Sequence, residues 1–398
     1  MNVILVGAST RAAAYSALRA RLRPICADLF ADHDLADRCQ VSRVAMRDYP
    51  EGLIEAVRAS PPGAWAYVGA IENHPAVVDT IAAERPLWGN GGAVLRRVRD
   101  PFAVAECLAR AGLPHPQLRR VGPGAPRAES WLVKPLAGAG GRGIGEYGVL
   151  STQQPDLPGR VGDGAADETP RPTHFLQQRI SGVSCAAVFV ANGRDCVLVG
   201  ATRQLVGEPT FHAKPFHYCG SVGPMAISRA AEQCCEAIGA TLASEFGLMG
   251  LFGVDAILRG DEVWPVEVNP RYTASMEIVE HALQSPLFGW HRDACTSGAL
   301  PAAEWVRGLR EQAVGVLAKA VLFAPCDLVA PDLAEYLSPT LADSGAWPLP
   351  LIADIPPSDT PIAAGQPILT VFAAQPSPQA AERALIEAAN RLYRRLGL

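Results

Sequence analysis

Two short stretches carry residue types whose spacing suits phosphate and metal chemistry. In WLVKPLAGAGGRGI, Trp131 to Ile144, an apolar strand ends on Lys134, and Gly138, Gly140, Gly141 and Gly143 follow. Glycines so spaced leave backbone N–H groups free to approach an anion closely, and the segment reads as a phosphate grip or as a flexible hairpin loop. It is not a Walker A loop, because the lysine precedes the glycines and no GK[ST] follows. In GLFGVDAILRGDEVWPVEVNPR, Gly250 to Arg271, two strands meet at Gly260-Asp261. A short hairpin there sets Asp255 across from Glu267, and the alternation of side chains along a strand puts Asn269 on the face of Glu267. Three hard oxygen donors suit Mg²⁺, which is commonly held by one or two carboxylates together with substrate phosphates. The plainer reading, exposed carboxylates on an ordinary hairpin, sits poorly with Val254, Ile257, Val266 and Val268, which mark interior strands where an unpaired carboxylate is costly.

A third stretch, FHAKPFHYCGS from Phe211 to Ser221, is rich in donors. His212, His217 and Cys219 are zinc-ligand types, but no fourth motif accompanies them. The preferred reading is a substrate loop, with Lys214 and the histidines near a bound ligand and His217 as a base. A surface loop with incidental histidines stays open beside it. Only Lys134, Lys214 and Lys319 are lysine among 35 basic residues. In so arginine-rich a chain, a retained compact ammonium points weakly to a task that a planar guanidinium does not perform.

These residues need strands and helices to hold them. Val3–Val6 reads as a buried strand ending at Gly7, Ala12–Leu22 as a helix, and Pro24–Leu29 and Trp65–Val68 as further strands, an α/β beginning over residues 1–90. VGAST supplies one glycine where a dinucleotide fingerprint has three, so a tight strand-to-helix turn is the better reading there. Asp100-Pro101 forms an N-cap with proline at the first helical position, and Gly112 closes that helix. Strands with glycine-rich turns follow from Trp131 to Arg271, interrupted by a Gly/Pro/Asp-rich surface loop at 151–173. The last part adds strands at Val316–Phe323 and Pro367–Phe372, then a helix with Leu385, Leu392 and Leu396 on one face and Arg394 and Arg395 near its C-terminal pole.

Composition bounds the function. With 398 residues, 49% hydrophobic and 19% charged, the chain is globular and of multidomain size, and disorder is excluded as its main state. A net charge of −5 and no local basic patch argue against nucleic acid as a partner. No apolar run reaches the roughly 18 residues that span a bilayer, and MNVILVGAST does not resemble a signal peptide, so a cytoplasmic protein with no membrane partner is expected. The ten cysteines include no CxxC and read as reduced, buried thiols.

At Lys134, Gly138–Gly143 and the D...ExNP hairpin, Asp255 to Pro270, the sequence resembles the ATP-grasp superfamily over roughly residues 91–285. The resemblance implies an α/β protein, α+β in its centre. It would comprise an N-terminal Rossmann-like domain (1–90), an ATP-grasp domain (91–300, with a lid at about 115–180) and a small C-terminal α/β domain (301–398). It implies ATP with two magnesium ions as cofactors. Lys134 matches the phosphate-binding lysine, Asp255, Glu267 and Asn269 the magnesium ligands, and Gln177, Gln178, Arg179 and Ile180 the adenine hinge. Arg271 matches the anion stabiliser, with Lys134 and His217 beside it in the catalytic set. Three positions depart from the family: Arg99 stands where a lysine often opens the ATP site, Ser184 where many members have a ribose-binding glutamate, and Gly253 where some have an arginine.

The activity so implied is a carboxylate–amine ligase. ATP phosphorylates a carboxylate to an acyl phosphate, which an amine attacks; both substrates are small molecules, and the family's assembly is a homodimer. Such a step needs mainly positive charge around the transferred phosphoryl group, and a lid to keep water out, a role suited to the loop Gly138–Gly143. GNGGAVLRRVRDPF, FHYCGSVGP and ADIPPSDTPIAAGQPILTVFA loosely resemble ATP-grasp proteins of one-carbon cofactor metabolism, related to the tyramine–glutamate and other glutamate ligases of methanofuran and methanopterin pathways. That implies glutamate or another small amino acid as a substrate. The competing class is a nucleotide-binding sensor or assembly protein without chemistry, favoured by Arg99, Ser184 and Gly253 and opposed by the intact magnesium and phosphate set. A biotin-dependent carboxylase component would share the clamp but need bicarbonate and biotin sites that the sequence does not announce.

Overall fold

The computed structural model describes residues 1–122, 130–147, 173–313, 315–337, 340–342 and 347–398. The loop expected at 151–173 falls, Thr173 apart, outside the described residues. The chain opens with four parallel strands, β1 (Asn2–Gly7), β2 (Arg23–Asp28), β3 (Gln40–Arg43) and β4 (Ala64–Tyr67), in the order β3-β2-β1-β4. Helices α1 (Arg11–Arg19), α2 (His33–Arg38) and α3 (Gly52–Ala59) make the crossovers. Ile4, Leu5 and Val6 are fully buried because a parallel sheet has both faces covered.

Three helices lead out of this sheet: α4 (Pro75–Ala82), α5 (Gly92–Val98) and α6 (Pro101–Arg110). Asp100 caps α6, accepting the Phe102 N–H at 2.9 Å, and Pro101 occupies the first helical position where a missing N–H does no harm. Buried Asn90 ties the linker to the hairpin that carries Asp255 and Glu267, donating to the carbonyls of Met249 and Pro270 at 3.1 Å each and accepting the Met249 N–H at 2.9 Å.

A small antiparallel sheet comes next, with strands β5 (Leu118–Arg120), β6 (Trp131–Pro135), β7 (Gly145–Glu146) and β8 (His174–Gln178) in the order β5-β8-β6-β7. The large sheet begins with β9 (Val183–Asn192), β10 (Cys196–Val206), β11 (Tyr218–Gly223), β12 (Met249–Arg259) and β13 (Glu262–Asn269). It continues without a break through β14 (Val316–Phe323) and the strands Pro367–Gln375 and Ile352–Ala353, in the order β13-β12-β9-β10-β11-β14 followed by those two. Helices α7 (Arg229–Phe246), α8 (Met276–Leu283), α9 (Leu287–Ser297) and α10 (Ala303–Gln312) pack on it. The last helix, Pro378–Arg395, buries Leu385 and Leu392 against β14 and its neighbour, as its apolar spacing predicts. The fold is mixed α/β, parallel at the start and antiparallel in the centre. Among the described residues no helix is long and apolar enough to cross a membrane.

Candidate functional site

The hairpin β12–β13 turns at Gly260-Asp261, and Asp255 pairs directly with Glu267. Gly260 takes a left-handed φ of 62°, which a side chain would strain. Gln204 on β10 donates to Asp255 Oδ1 at 2.8 Å, and Asn269 donates to Asp255 Oδ2 at 3.0 Å. Arg271 bridges Asn269 Oδ1 at 3.2 Å and Glu72 Oε1, reached by its Nε at 2.7 Å. Side-chain hydrogen bonds therefore join Asp255, Asn269 and Arg271, and Glu267 stands beside Asp255 across the ladder with its carboxylate bonded to Arg99.

Lys134 leaves β6 toward the same place, 8% exposed, and donates to Gln177 Oε1 at 3.1 Å and the Val266 carbonyl at 3.3 Å. Between the two sheets lies a cleft of about 710 Å³, lined by Lys134, Gly138, Gly141, Gln177 and Glu267 and floored by apolar Val98, Val104 and Leu108. An apolar pocket with a few convergent polar groups is the usual form of a small-molecule site. Gly140 and Gly143 belong to the same loop, with φ of 62° and 76°. At Gly141 only a glycine fits: φ is 80°, and a Cβ there would lie 1.8 Å from the Phe216 carbonyl oxygen. The loop is tied on two sides. Asn73 and Arg99 both donate to the Gly138 carbonyl at 3.1 Å, and the Tyr218 N–H donates to the Gly140 carbonyl at 3.1 Å.

The electrostatics fit a divalent cation. Burial and the charge of Glu267 push Asp255 up to about 6, so two carboxylates are held against each other in a dry setting. Burial also works against ionised Glu267, but Arg99 and Lys134 outweigh it and hold its carboxyl below the ordinary value. Burial depresses Lys134. Among the described residues no group of three or more His, Cys, Asp or Glu is placed to hold a metal. Two carboxylates and an amide need nucleotide phosphates to complete a magnesium shell, as oxygen-only Mg²⁺ sites commonly do.

Other expected residues stand apart from the cleft lining. Gln178 pairs with Gln117, its backbone N–H donating to the Gln117 carbonyl at 2.9 Å, and exposed Arg179 pairs with Glu146 at 2.6 Å. Ile180 follows β8, and Ser184 sits opposite Ile257 on the β9–β12 ladder. His217 is half-buried at 6.3 Å from the Phe323 ring; burial, Arg142 and Lys214 lower its pKa, which keeps the ring neutral and able to accept a proton. For the zinc alternative, His212 packs edge-on against Tyr393 and burial pushes the Cys219 thiol up to about 11, away from the thiolate that zinc needs. Glu72, Asn73 and Gln204 had no signal in the sequence. Arg99, which the sequence offers only as a departure, donates to Glu267 Oε1 at 2.7 Å and the Val268 carbonyl at 3.0 Å.

Residues 98–275 match the family model described as an ATP-grasp domain. The formate-dependent phosphoribosylglycinamide formyltransferase of Thermococcus kodakarensis is 35% identical over 95 residues, 23% of this chain and 22% of its own length, so the match spans about a fifth of that relative. The carbamoyl phosphate synthase large chain of a Mycobacterium species is 26% identical over 72% of this chain and 26% of its own. Among solved structures, the biotin carboxylase domain dimer of Hydrogenobacter thermophilus 2-oxoglutarate carboxylase, in complex with MgADP, ADP and bicarbonate, superposes with a TM-score of 0.68 at 11% identity, covering 97% of this chain and 89% of that one. N5-carboxyaminoimidazole ribonucleotide synthetase from Thermus thermophilus gives 0.65 at 17% identity, covering 99% and 98%. The chain is built on the ATP-grasp fold, with an ATP-grasp domain over residues 98–275.

Proposed function

We propose that this protein is an ATP- and magnesium-dependent carboxylate–amine ligase that works through an acyl phosphate. The observation that carries it is the register of Asp255 against Glu267 beside a cleft that also holds Lys134 and the glycine loop. Adenine would sit on the apolar floor near Gln177, and the phosphates would lie between Lys134 and the loop. Asp255, Glu267 and Asn269 would hold magnesium, which neutralises charge on the transferred phosphoryl group. Arg271 carries a fixed guanidinium whose charge Glu72 sustains against burial, and it faces the metal set, where an anionic carboxylate would be bound. Neutral His217 would accept a proton from the amine. The relatives' names point the same way, since one is formate-dependent, one neighbour is in complex with bicarbonate and another is a synthetase of a carboxyamino compound. A glutamate or small amino-acid substrate in one-carbon cofactor biosynthesis is the finer reading that the sequence resemblance supports, and a homodimer is the assembly to look for by light scattering.

The test is ADP release from Mg-ATP with carboxylates and amines offered singly and together, glutamate and tyramine included, and Glu267→Ala as the blank. Release that needs both substrates and disappears in the variant is expected. A nucleotide sensor instead binds Mg-ATP without turnover across the panel.

A further inference from the structure

A second cavity, of about 740 Å³, lies between the helices α4–α6 and the small antiparallel sheet. It shares Arg99 and Leu136 with the cleft beside Lys134, whereas Glu72, Asn73 and Arg120 line it alone. Three of its charged groups have bonding capacity left over. Glu72, in the turn after β4, is 1% exposed and gives Oε1 to Arg271 at 2.7 Å, while its Oε2 is buried and accepts no hydrogen bond among the described residues. Arg99 spends both terminal nitrogens, Nη1 on Glu267 and the Val268 carbonyl, Nη2 on Asn73 Oδ1 and the Gly138 carbonyl at 3.1 Å each. Its Nε is buried without an acceptor. Arg120 lies over the Phe102 ring, 4.9 Å from its centre, and its guanidinium makes no hydrogen bond or ion pair among the described residues.

A buried acceptor and a buried donor left unpaired both cost free energy, and Glu72 Oε2 and Arg99 Nε do not bond to each other. A simple cation would suit the first and be repelled by the guanidiniums; a simple anion would do the reverse. A ligand with an ammonium at one end and a carboxylate at the other satisfies both, through N–H donors to Glu72 and oxygens to the arginines. The remaining charges of the wall are engaged: Arg96 holds Asp79 at 2.7 Å, and Asp100 caps α6. Leu95, Phe102 and Leu136 give the apolar wall that a methylene chain needs. The Glu72 end adjoins the reacting groups, because Arg271 joins it to Asn269 at 3.2 Å.

We propose that this cavity binds an amino acid, its ammonium on Glu72 Oε2 and its carboxylate on Arg99 and Arg120, and that this amino acid is the amine substrate of the ligase. The inference rests on the function proposed above and gives that amine its class. The experiment is calorimetric titration of the full chain with glycine, γ-aminobutyrate and glutamate, each with and without Mg-ATP, and with butylammonium chloride and sodium butyrate as ligands that have one end only. Expected are binding of at least one amino acid, at least tenfold weaker binding of both one-ended ligands, and at least tenfold loss of amino-acid affinity in Arg120→Gln and Glu72→Gln. Mg-ATP affinity should be unchanged in Arg120→Gln, whose exposed position also keeps the test decisive if Glu72→Gln does not fold. Absence of binding by all three amino acids, equal binding of butylammonium or butyrate, or indifference to Arg120→Gln overturns the assignment. Amino-acid binding lost in Arg120→Gln, in a protein that never turns over ATP, keeps this site and fails the ligase. Turnover whose amine KM ignores Arg120→Gln does the reverse.

Discussion

The Asp255–Glu267 cluster and the Arg11–Glu277 cluster both join the N-terminal sheet to the rest of the molecule, yet they are paired differently. In the first, two carboxylates repel each other, Arg99 Nε and Glu72 Oε2 are buried without partners, and the group borders an open cleft. In the second, Arg11 is 1% exposed and is gripped by carboxylates from α8 and from the turn after Ile352–Ala353. Charge assembled for architecture is saturated by the chain itself. Charge assembled for ligands, the role proposed for the first cluster, keeps part of its bonding capacity open, and Asp32 is the exception in the second, a buried carboxyl whose ionisation is opposed by burial and by Asp354, Asp28 and Asp34.

The comparison breaks most visibly at Arg11. Arg11→Met leaves Glu277 and Asp354 buried with too little positive charge and should cost about 3–5 kcal/mol in urea unfolding; a loss below about 1 kcal/mol would mean the cluster is not structural. Glu267→Gln should lower amine-dependent ADP release by about 10²–10³-fold with melting close to that of the parent protein, since one electrostatic contact to the reacting group is removed. A smaller kinetic effect with a large drop in melting temperature would make the first cluster architectural too. Asn73→Ala removes one of the two donors on the Gly138 carbonyl and should speed amide exchange in the glycine loop by roughly 2–10-fold, the worth of one net hydrogen bond.

The smallest effect tests the exception. A carboxylate whose folded pKa is raised binds its proton more tightly in the native state, so its penalty is absent below the ordinary value of 3.8 and grows as pH rises. Asp32→Asn should therefore stabilise the protein at pH 7, by about 1 kcal/mol or less, and the gain should shrink at pH 5. The difference between variant and parent is the proper measure, because buried His281 and His291, both lowered to about 4 by burial, lose stability on acidification and act in the opposite sense.

What was legible in the sequence follows the same division. Asp255, Glu267 and Asn269 lie on a single hairpin, so strand alternation alone places them, and Lys134 is delivered by the strand that precedes its glycines. Arg11 meets partners 266 and 343 residues away, and nothing in its surroundings, STRAAAY, marks it as more than a helix-start arginine. The Arg99 contact to Glu267 spans 168 residues and was equally hidden. Helix α1 stops at Arg19, short of the expected Leu22, because Arg21 takes a left-handed φ of 60° that redirects the chain into β2. The pairing of β14 with β11 had no local signal either, since antiparallel partners ninety-odd residues apart share only their apolar pattern.

That pairing makes the chain hard to divide. A fragment ending at Gln312 would leave the Gly220–Gly223 edge of β11 bare and uncover Val222, Leu205 and Cys219, which β14 and the last helix otherwise bury. A bare strand edge beside an apolar face invites association between copies. The cleft beside Lys134 and the last strands should accordingly melt in one transition, and shortened forms of the protein should be recovered as aggregates rather than as a working half.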